Sequence, residues 1–309
     1  MTRYFLVLLL LPFSVFAQTF EQKMKAMPVA NLENGVKLTF DEPKDLNSKP
    51  AKVIIYALPN GNTTAQTFGK KLAEGDDWHF DIQHIGAQTS FIRIQDKKLN
   101  YIVVYLENSL KSWPTWRRQT KNADSIILKI VENIYFKYRG LKPTIILNGH
   151  SGGGSFIFGF INSQPELPNY IERISFLDAT YGYETEKHQR KLNNWLSKKA
   201  KSLQVISYND SVVVYNGKPL VSPTGGTWYR SKLMARDLEA SRLQETEDQF
   251  ILQHKSASFI LIKNPEAKIY HTVLVEKNGF IHSIFNGTKF ANKNYLFWDK
   301  RAYENFILE

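Results

Sequence analysis

Short apolar runs alternate along this chain with segments that carry apolar residues at helical spacing. The runs at residues 52–58 and 101–106 lack polar alternation and predict strands buried on both faces, as in parallel sheets. Further strands are predicted at 144–148, 171–177 and 203–208. Helices are predicted between them, at 124–138, directly after Ser151 and at 185–201. The alternation predicts an α/β fold with a mostly parallel central sheet and helices on both faces.

The remaining segments predict smaller elements. A hairpin is expected over residues 27–40, where Asn34-Gly35 provides a tight turn, and a second over 212–221 around Asn216-Gly217. Toward the C-terminus we predict helices near 231–241 and 248–262. A last strand is predicted at 268–275.

The first 17 residues have the composition of a cleavable secretory signal. Arg3 precedes an apolar run at 4–11, and Val15-Phe16-Ala17 precedes Gln18. The run is shorter than the roughly 20 residues that span a bilayer, so no membrane span is expected. We therefore predict an exported protein, periplasmic or extracellular, with residues 18–309 as a single domain. With no cysteine in the sequence, disulfides and thiolate chemistry are excluded.

The formal net charge is +11, carried by lysines that are scattered along the chain. Lysines scattered in this way are typical of a solvated surface. There is no basic run of five residues and no recognisable nucleic-acid module, so nucleic-acid binding is not expected.

One motif carries specific chemistry. Residues 144–156 read TIILNGHSGGGSF, an apolar strand that breaks into G-x-S-x-G and continues as a helix-like run. This context predicts a nucleophile elbow with Ser151 at its tip. Gly149 and Gly153 allow the sharp turn because neither carries a Cβ that would clash.

The elbow Gly149-His150-Ser151-Gly152-Gly153, followed by acidic and histidine candidates, resembles the α/β-hydrolase superfamily and in particular its uncharacterised secreted bacterial members. The resemblance covers roughly residue 52 to the C-terminus and implies a three-layer α/β-hydrolase fold. It also implies a serine hydrolase that needs no cofactor. Asp76, Asp77, His79 and His84 match no known metal-site spacing, so no metal is expected.

A serine hydroxyl needs a base within hydrogen-bond reach. His282 follows the predicted strand at 268–275, where the superfamily places its base, so it is the first candidate. His271 is the second candidate. It ranks below His282 because its position at the start of that strand would direct it to the wrong end of the sheet.

Two aspartates follow predicted strands and are alternatives for the acid that orients the base. Asp178 follows the strand after the elbow, and Asp210 follows the next one. Asp210 is favoured because the superfamily more commonly places its acid there. The other reading for either residue is a helix cap or turn.

The oxyanion of an acyl-transfer reaction needs two fixed donors. The Gly152 N–H is one candidate, by elbow geometry. The other is expected from Asn60-Gly61-Asn62, after the strand at 52–58, with the Asn62 backbone favoured over Gly61 or an asparagine side chain.

The predicted activity is hydrolysis of a small-molecule or polymer carboxylic ester through an acyl-enzyme. The alternatives are a peptidase or acyltransferase with the same triad, and a noncatalytic binding protein on a hydrolase scaffold.

Overall fold

The computed structural model describes residues 18–309, and the expected secretory segment 1–17 lies outside them. Ten strands form one mixed sheet in the order β1-β2-β4-β3-β5-β6-β7-β12-β11-β10, and β8 and β9 pair separately. The strands are β1 Val29–Asn31, β2 Val36–Asp41, β3 Ala51–Ala57, β4 Asn100–Asn108, β5 Thr144–His150, β6 Ile171–Leu177, β7 Ser202–Tyr208, β8 Val214–Tyr215, β9 Lys218–Pro219, β10 Ser241–Glu245, β11 Gln249–His254 and β12 Ala257–Ile262.

The α-helices cover both faces of the sheet and give a three-layer architecture. They are α1 Phe20–Ala26, α2 Thr64–Phe68, α3 Ile85–Gln95, α4 Trp113–Gln119, α5 Ala123–Lys137, α6 Gly154–Asn162, α7 Thr185–Leu196, α8 Thr227–Asp237 and α9 Phe280–Phe285. Residues of α4 to α8 share one hydrophobic core with one face of the sheet, and residues of α1, α2, α3 and α9 share a second core with the other face. Within residues 18–309 no helix has the length and apolar character to cross a membrane.

Five neighbouring strands, β3, β5, β6, β7 and β12, run parallel to one another. Their carboxyl ends therefore meet at the same edge of the sheet, which is where ligands bind in open α/β sheets. The segments that follow these strands contain Asn60, Ser151, Asp178, Asp210 and His271. The topology thus brings residues from distant parts of the sequence to one edge.

The N-terminal hairpin and the hairpin around Asn216-Gly217 are confirmed. The prediction for the C-terminal third is wrong in two places. Residues 249–262 form the antiparallel pair β11 and β12 rather than a helix, and residues 268–275 form loop and helical turns rather than a strand. The last parallel strand is consequently β12, and the segment containing His271 follows it.

His188, in α7, makes the stability of this fold depend on pH. Its Nδ1 accepts a hydrogen bond from the Glu184 backbone N–H at 2.9 Å, which requires an unprotonated ring nitrogen. Burial lowers the pKa of His188 to about 4. The unfolded chain, with an ordinary histidine pKa of about 6.5, binds this proton first, so stability is highest above that pH and decreases as the pH falls toward 4.

For this one group we expect a loss of about 3 kcal/mol across the whole window, of which about 2 kcal/mol falls between pH 7.5 and pH 5. Urea unfolding at these two pH values measures that part. His188→Leu is expected to reduce the difference in unfolding free energy between the two pH values. An undiminished difference in the variant would show that His188 does not take up the proton.

Candidate active site

Ser151 lies directly after β5 in a left-handed backbone conformation, with φ 53°. A short 3-10 turn, Ser151–Gly153, leads from it into α6. A left-handed conformation is strained for a non-glycine residue and costs of the order of 1–3 kcal/mol. The turn is possible because Gly153 lacks a side chain: a Cβ there would lie 2.1 Å from the Ala57 carbonyl oxygen. These are the features of a nucleophile elbow.

The structure pairs a histidine and an aspartate next to this turn. His271 Nδ1 lies 2.5 Å from Asp178 Oδ2. Asp178, at the end of β6, is fully buried, whereas 24% of the His271 side chain is exposed. A ring nitrogen paired with a buried carboxylate carries the proton, so Nε2 of a neutral His271 is left as the basic nitrogen.

His150 connects this pair to the elbow. Its Nε2 donates a hydrogen bond to the His271 carbonyl oxygen at 2.8 Å, and the two ring centroids are 4.7 Å apart. Because a carbonyl can only accept, the His150 proton must be on Nε2. Burial, followed by the nearby His271, holds the pKa of His150 well below its usual range, so His150 is neutral. The residue before Ser151 thereby fixes the backbone that carries His271.

A cavity of about 460 Å³ opens at the elbow. Its lining consists of Asn60, Pro114, Ser151, Gly152, Ser155, Ala179, Tyr181 and Gly182. The Tyr181 ring lies 6.5 Å from the His271 ring, centroid to centroid, so one residue of the cavity lining is close to the histidine.

The segment after β3 contacts the elbow through the side chain of Asn60. The Asn60 side chain covers Gly152 so closely that a Cβ on Gly152 would lie 2.0 Å from Asn60 Oδ1. The Gly61 N–H is already donated to the Lys111 carbonyl at 2.8 Å, so Gly61 is not a free donor. Asn62 is buried and is not part of the cavity lining. Of the three residues in this turn, Asn60 is therefore the one placed beside Gly152 in the cavity.

No protein-family model and no curated protein matches the sequence. A thermostable esterase of known structure is similar, with a TM-score of 0.54 at 11% identity. The similarity covers 85% of this chain, which spans 62% of the length of that esterase. The chain has the α/β-hydrolase fold.

Two further solved structures are similar at lower scores. Thermogutta terrifontis esterase 2, phosphorylated by paraoxon, has a TM-score of 0.48 at 10% identity, with 90% of this chain and 97% of that chain covered. Acetyl xylan esterase from Aspergillus awamori has a TM-score of 0.46 at 10% identity, with 77% and 93% covered.

Asp210 does not contact His271, so the prediction that Asp210 is the acid that orients the base is not supported. Asp210 instead caps α8: its carboxylate accepts the backbone N–H of Thr227 at 2.7 Å and that of Trp228 at 3.4 Å. Burial, followed by the charge of Asp178, raises the pKa of Asp210 to about 6.

Thr227 joins the two aspartates, a role that no sequence pattern indicated. Its hydroxyl donates to Asp178 Oδ1, while its backbone N–H binds Asp210. Asp210 therefore stabilises the first turn of α8. Thr227 in that turn positions the Asp178 carboxylate, which contacts His271.

His282 does not lie at this site, contrary to the first choice for the base. It belongs to α9, whose Ser283 carbonyl accepts a hydrogen bond from Arg173 near the amino-terminal end of β6, the opposite end from Ser151. The Tyr295 hydroxyl lies 3.3 Å from its Nδ1, and burial, followed by the charge of Arg173, lowers the pKa of His282 to about 4. The expectation failed because Asn278-Gly279 is a kink between two helical turns rather than a turn after a strand.

The part of the chain that the structure describes contains no group of three side chains that could hold a metal ion. Asp77 and His79 instead contact each other, as do Asp81 and His84. The chemistry available at the elbow is that of the serine, the histidine and the aspartate.

Proposed function

We propose that this protein is a serine hydrolase that cleaves carboxylic esters through an acyl-enzyme, with Ser151 as nucleophile, His271 as base and Asp178 as the orienting acid. The observation that carries the proposal is the Asp178–His271 pair, which His150 joins to the strained elbow of Ser151. A serine hydroxyl is a weak nucleophile, and this arrangement supplies both the base and the group that fixes its tautomer.

In the proposed reaction, the three side chains act in turn. Ser151 Oγ attacks the ester carbonyl carbon while His271 Nε2 takes the hydroxyl proton, and the carbonyl oxygen becomes an oxyanion. The C–O bond to the alcohol then breaks, and the imidazolium returns the proton to the leaving alkoxide. In the second half, His271 removes a proton from water, the hydroxide attacks the acyl carbon, and the bond to Ser151 Oγ breaks with return of that proton. Asp178 stays ionised throughout and stabilises the imidazolium.

The proposed substrate is an ester with an acyl or alcohol group that the cavity of about 460 Å³ can hold. Esters are preferred over amides because an alkoxide is a better leaving group than an amine. A peptidase or acyltransferase would use the same three side chains, and a binding protein would not need them. We further propose that the protein acts after export, on the basis of the composition of residues 1–17.

Hydrolysis of p-nitrophenyl esters with acyl chains from acetyl to octanoyl tests this function, together with labelling by a fluorophosphonate. The wild-type protein is expected to hydrolyse at least one of these esters and to take up one fluorophosphonate. Ser151→Ala is expected to lose both properties while it unfolds at a similar temperature. Folded wild-type protein that neither hydrolyses esters nor reacts with the probe would favour a binding protein.

We propose that the Asn60 side-chain amide and the Gly152 N–H stabilise the oxyanion. Asn60→Ala is expected to lower kcat by about 10²- to 10³-fold, as loss of one oxyanion donor does elsewhere, with a smaller change in KM. Asn60 is exposed, so its loss should not affect folding. Asn62→Ala is the matched comparison, because that side chain lies outside the cavity lining. An unchanged kcat in Asn60→Ala would assign the second donor elsewhere.

A further inference from the structure

A second cavity, of about 560 Å³, lies on the face of the sheet that α9 covers, away from Ser151. We call it the rear cavity. One end is polar and is lined by Arg173, Gln204, His282 and Asn286, and the other is lined by the apolar side chains of Leu243, Ile251 and Ile260. None of these residues takes part in the proposed reaction.

Arg173 gives the polar end a buried positive charge. Its side chain is 5% exposed, and two of its nitrogens donate to the carbonyls of Ser283 and Asn286 at 3.1 and 2.9 Å. Neutral carbonyls do not cancel the charge, and within residues 18–309 no carboxylate forms an ion pair with Arg173. The acidic neighbour Glu172 instead pairs with Lys52. A buried charge is costly unless it is paired, so an anion at this position is stabilising.

His282 adds a donor with no partner. It is 5% exposed, and among the described residues nothing hydrogen-bonds its Nε2. The Tyr295 hydroxyl can donate to Nδ1, which leaves the ring proton on Nε2, and His282 is one of the residues that line the rear cavity. A buried N–H without a partner is rare, and an oxygen of a bound anion satisfies it.

Two further basic side chains, those of Lys201 and Lys255, line the rear cavity, against one carboxylate in its lining, that of Glu172. Lys201 donates to the Asn169 carbonyl at 2.6 Å, and Lys255 lies on the rim. The local charge is therefore positive, and Arg173 is its most deeply buried source. Guanidinium groups match the planar geometry of carboxylates with two parallel hydrogen bonds.

The apolar end is formed by a distortion of the sheet. Arg242 pairs with Leu252 and Gln244 with Ile251, so Leu243 is the extra residue of a β-bulge. Bulges redirect side chains, and Leu243 lines the cavity although 65% of it is exposed. An exposed leucine beside the half-buried Ile251 is a surface that a hydrocarbon chain can cover.

We propose that the rear cavity binds an amphiphilic carboxylate, with the carboxylate on Arg173 and His282 Nε2 and the hydrocarbon chain along Leu243 and Ile251. The site is separate from the elbow, and the proposal does not depend on the proposed hydrolysis.

Isothermal titration of the purified protein with sodium octanoate tests this site, with octanol, acetate and inorganic phosphate as comparison probes. Octanoate is expected to bind one site with a Kd at or below about 1 mM, which is within reach of a ligand of this size. Octanol lacks the charge and acetate lacks the chain, so each should bind at least about tenfold more weakly. No octanoate binding, equal binding of octanol, or tighter binding of phosphate would overturn the proposal.

Three substitutions locate the bound molecule. Arg173→Met is expected to weaken octanoate binding by at least about tenfold, through loss of a charge-assisted hydrogen bond. Since Arg173 is buried, that variant is expected to lose stability, so Leu243→Glu provides a second test. Leu243 is exposed, and a carboxylate there repels the ligand. Val214→Glu is the matched control, because Val214 is a strand residue that is 64% exposed and outside the cavity. Octanoate affinity unchanged in folded Leu243→Glu protein would place the ligand elsewhere and overturn the assignment.

Discussion

His271→Ala is expected to lower kcat for ester hydrolysis by about 10⁴- to 10⁶-fold, which is the range seen when a triad base is removed. The physical reason is that Ser151 then has no acceptor for its proton, so attack on the ester must proceed from a neutral hydroxyl. Part of the His271 side chain is exposed, His150 binds its backbone carbonyl rather than its ring, and Asp178 keeps the hydrogen bond from Thr227, so the variant should fold. Its kcat is measured with the best p-nitrophenyl ester, and its unfolding temperature is measured in parallel.

His282→Asn is the comparison that decides between the two histidines. His282 is buried in the core that contains α9, so its replacement should act on stability. We expect kcat per folded molecule to fall less than about tenfold, far below the loss caused by removing a triad member. If His282→Asn instead lost as much as His271→Ala while remaining folded, the base would have been assigned to the wrong residue.

Asp178→Asn is expected to lower kcat by about 10⁴-fold, the loss recorded when a triad aspartate is replaced by asparagine in a serine protease. An asparagine can direct its NH₂ group at His271 Nδ1, which places the ring proton on Nε2. The ring then has no basic nitrogen facing Ser151 and no carboxylate to stabilise the imidazolium. KM should change less than kcat, because Asp178 is fully buried and is not part of the cavity lining.

Asp210→Asn is the matched control for this aspartate. Asparagine keeps an oxygen that can accept the Thr227 and Trp228 N–H groups, so the cap on α8 survives in a weaker form. We expect kcat to fall less than about tenfold, because the Asp178–His271 pair is retained. Equal losses in the two variants would mean that the aspartates act as one unit through Thr227.

The sequence was sufficient to predict the elbow because the elbow is local. The apolar strand, the G-x-S-x-G glycines and the following helix are contiguous, and each is required by the same turn. The parallel strands were predictable for a similar reason: β4 spans Asn100–Asn108, and the continuous apolar run at 101–106 predicts it. Secondary structure that depends on the local pattern of residues can be predicted from a single sequence.

The base and the acid were harder because each depends on which strands are neighbours. The run at 257–262 reads as a helix or a strand by its apolar content alone, and only its pairing with β7 makes it the last parallel strand. With the last strand predicted at 268–275, the residue that follows it is His282. With the strand at 257–262, the segment that follows it contains His271. Similarly, Asp178 and Asp210 both follow strands, and the choice between them depends on Thr227, which lies 49 residues from Asp178 and binds both.

The assignment of Ser151, His271 and Asp178 as a triad is best tested by the structure of the fluorophosphonate adduct. We expect phosphorus on Ser151 Oγ, with His271 Nε2 within about 3 Å of an oxygen of the adduct, as hydrogen bonding requires, and with Asp178 on the other side of the ring. We also expect the phosphoryl oxygen at the Gly152 N–H. An adduct on another residue, or one on Ser151 with His271 out of reach, would contradict the proposed triad.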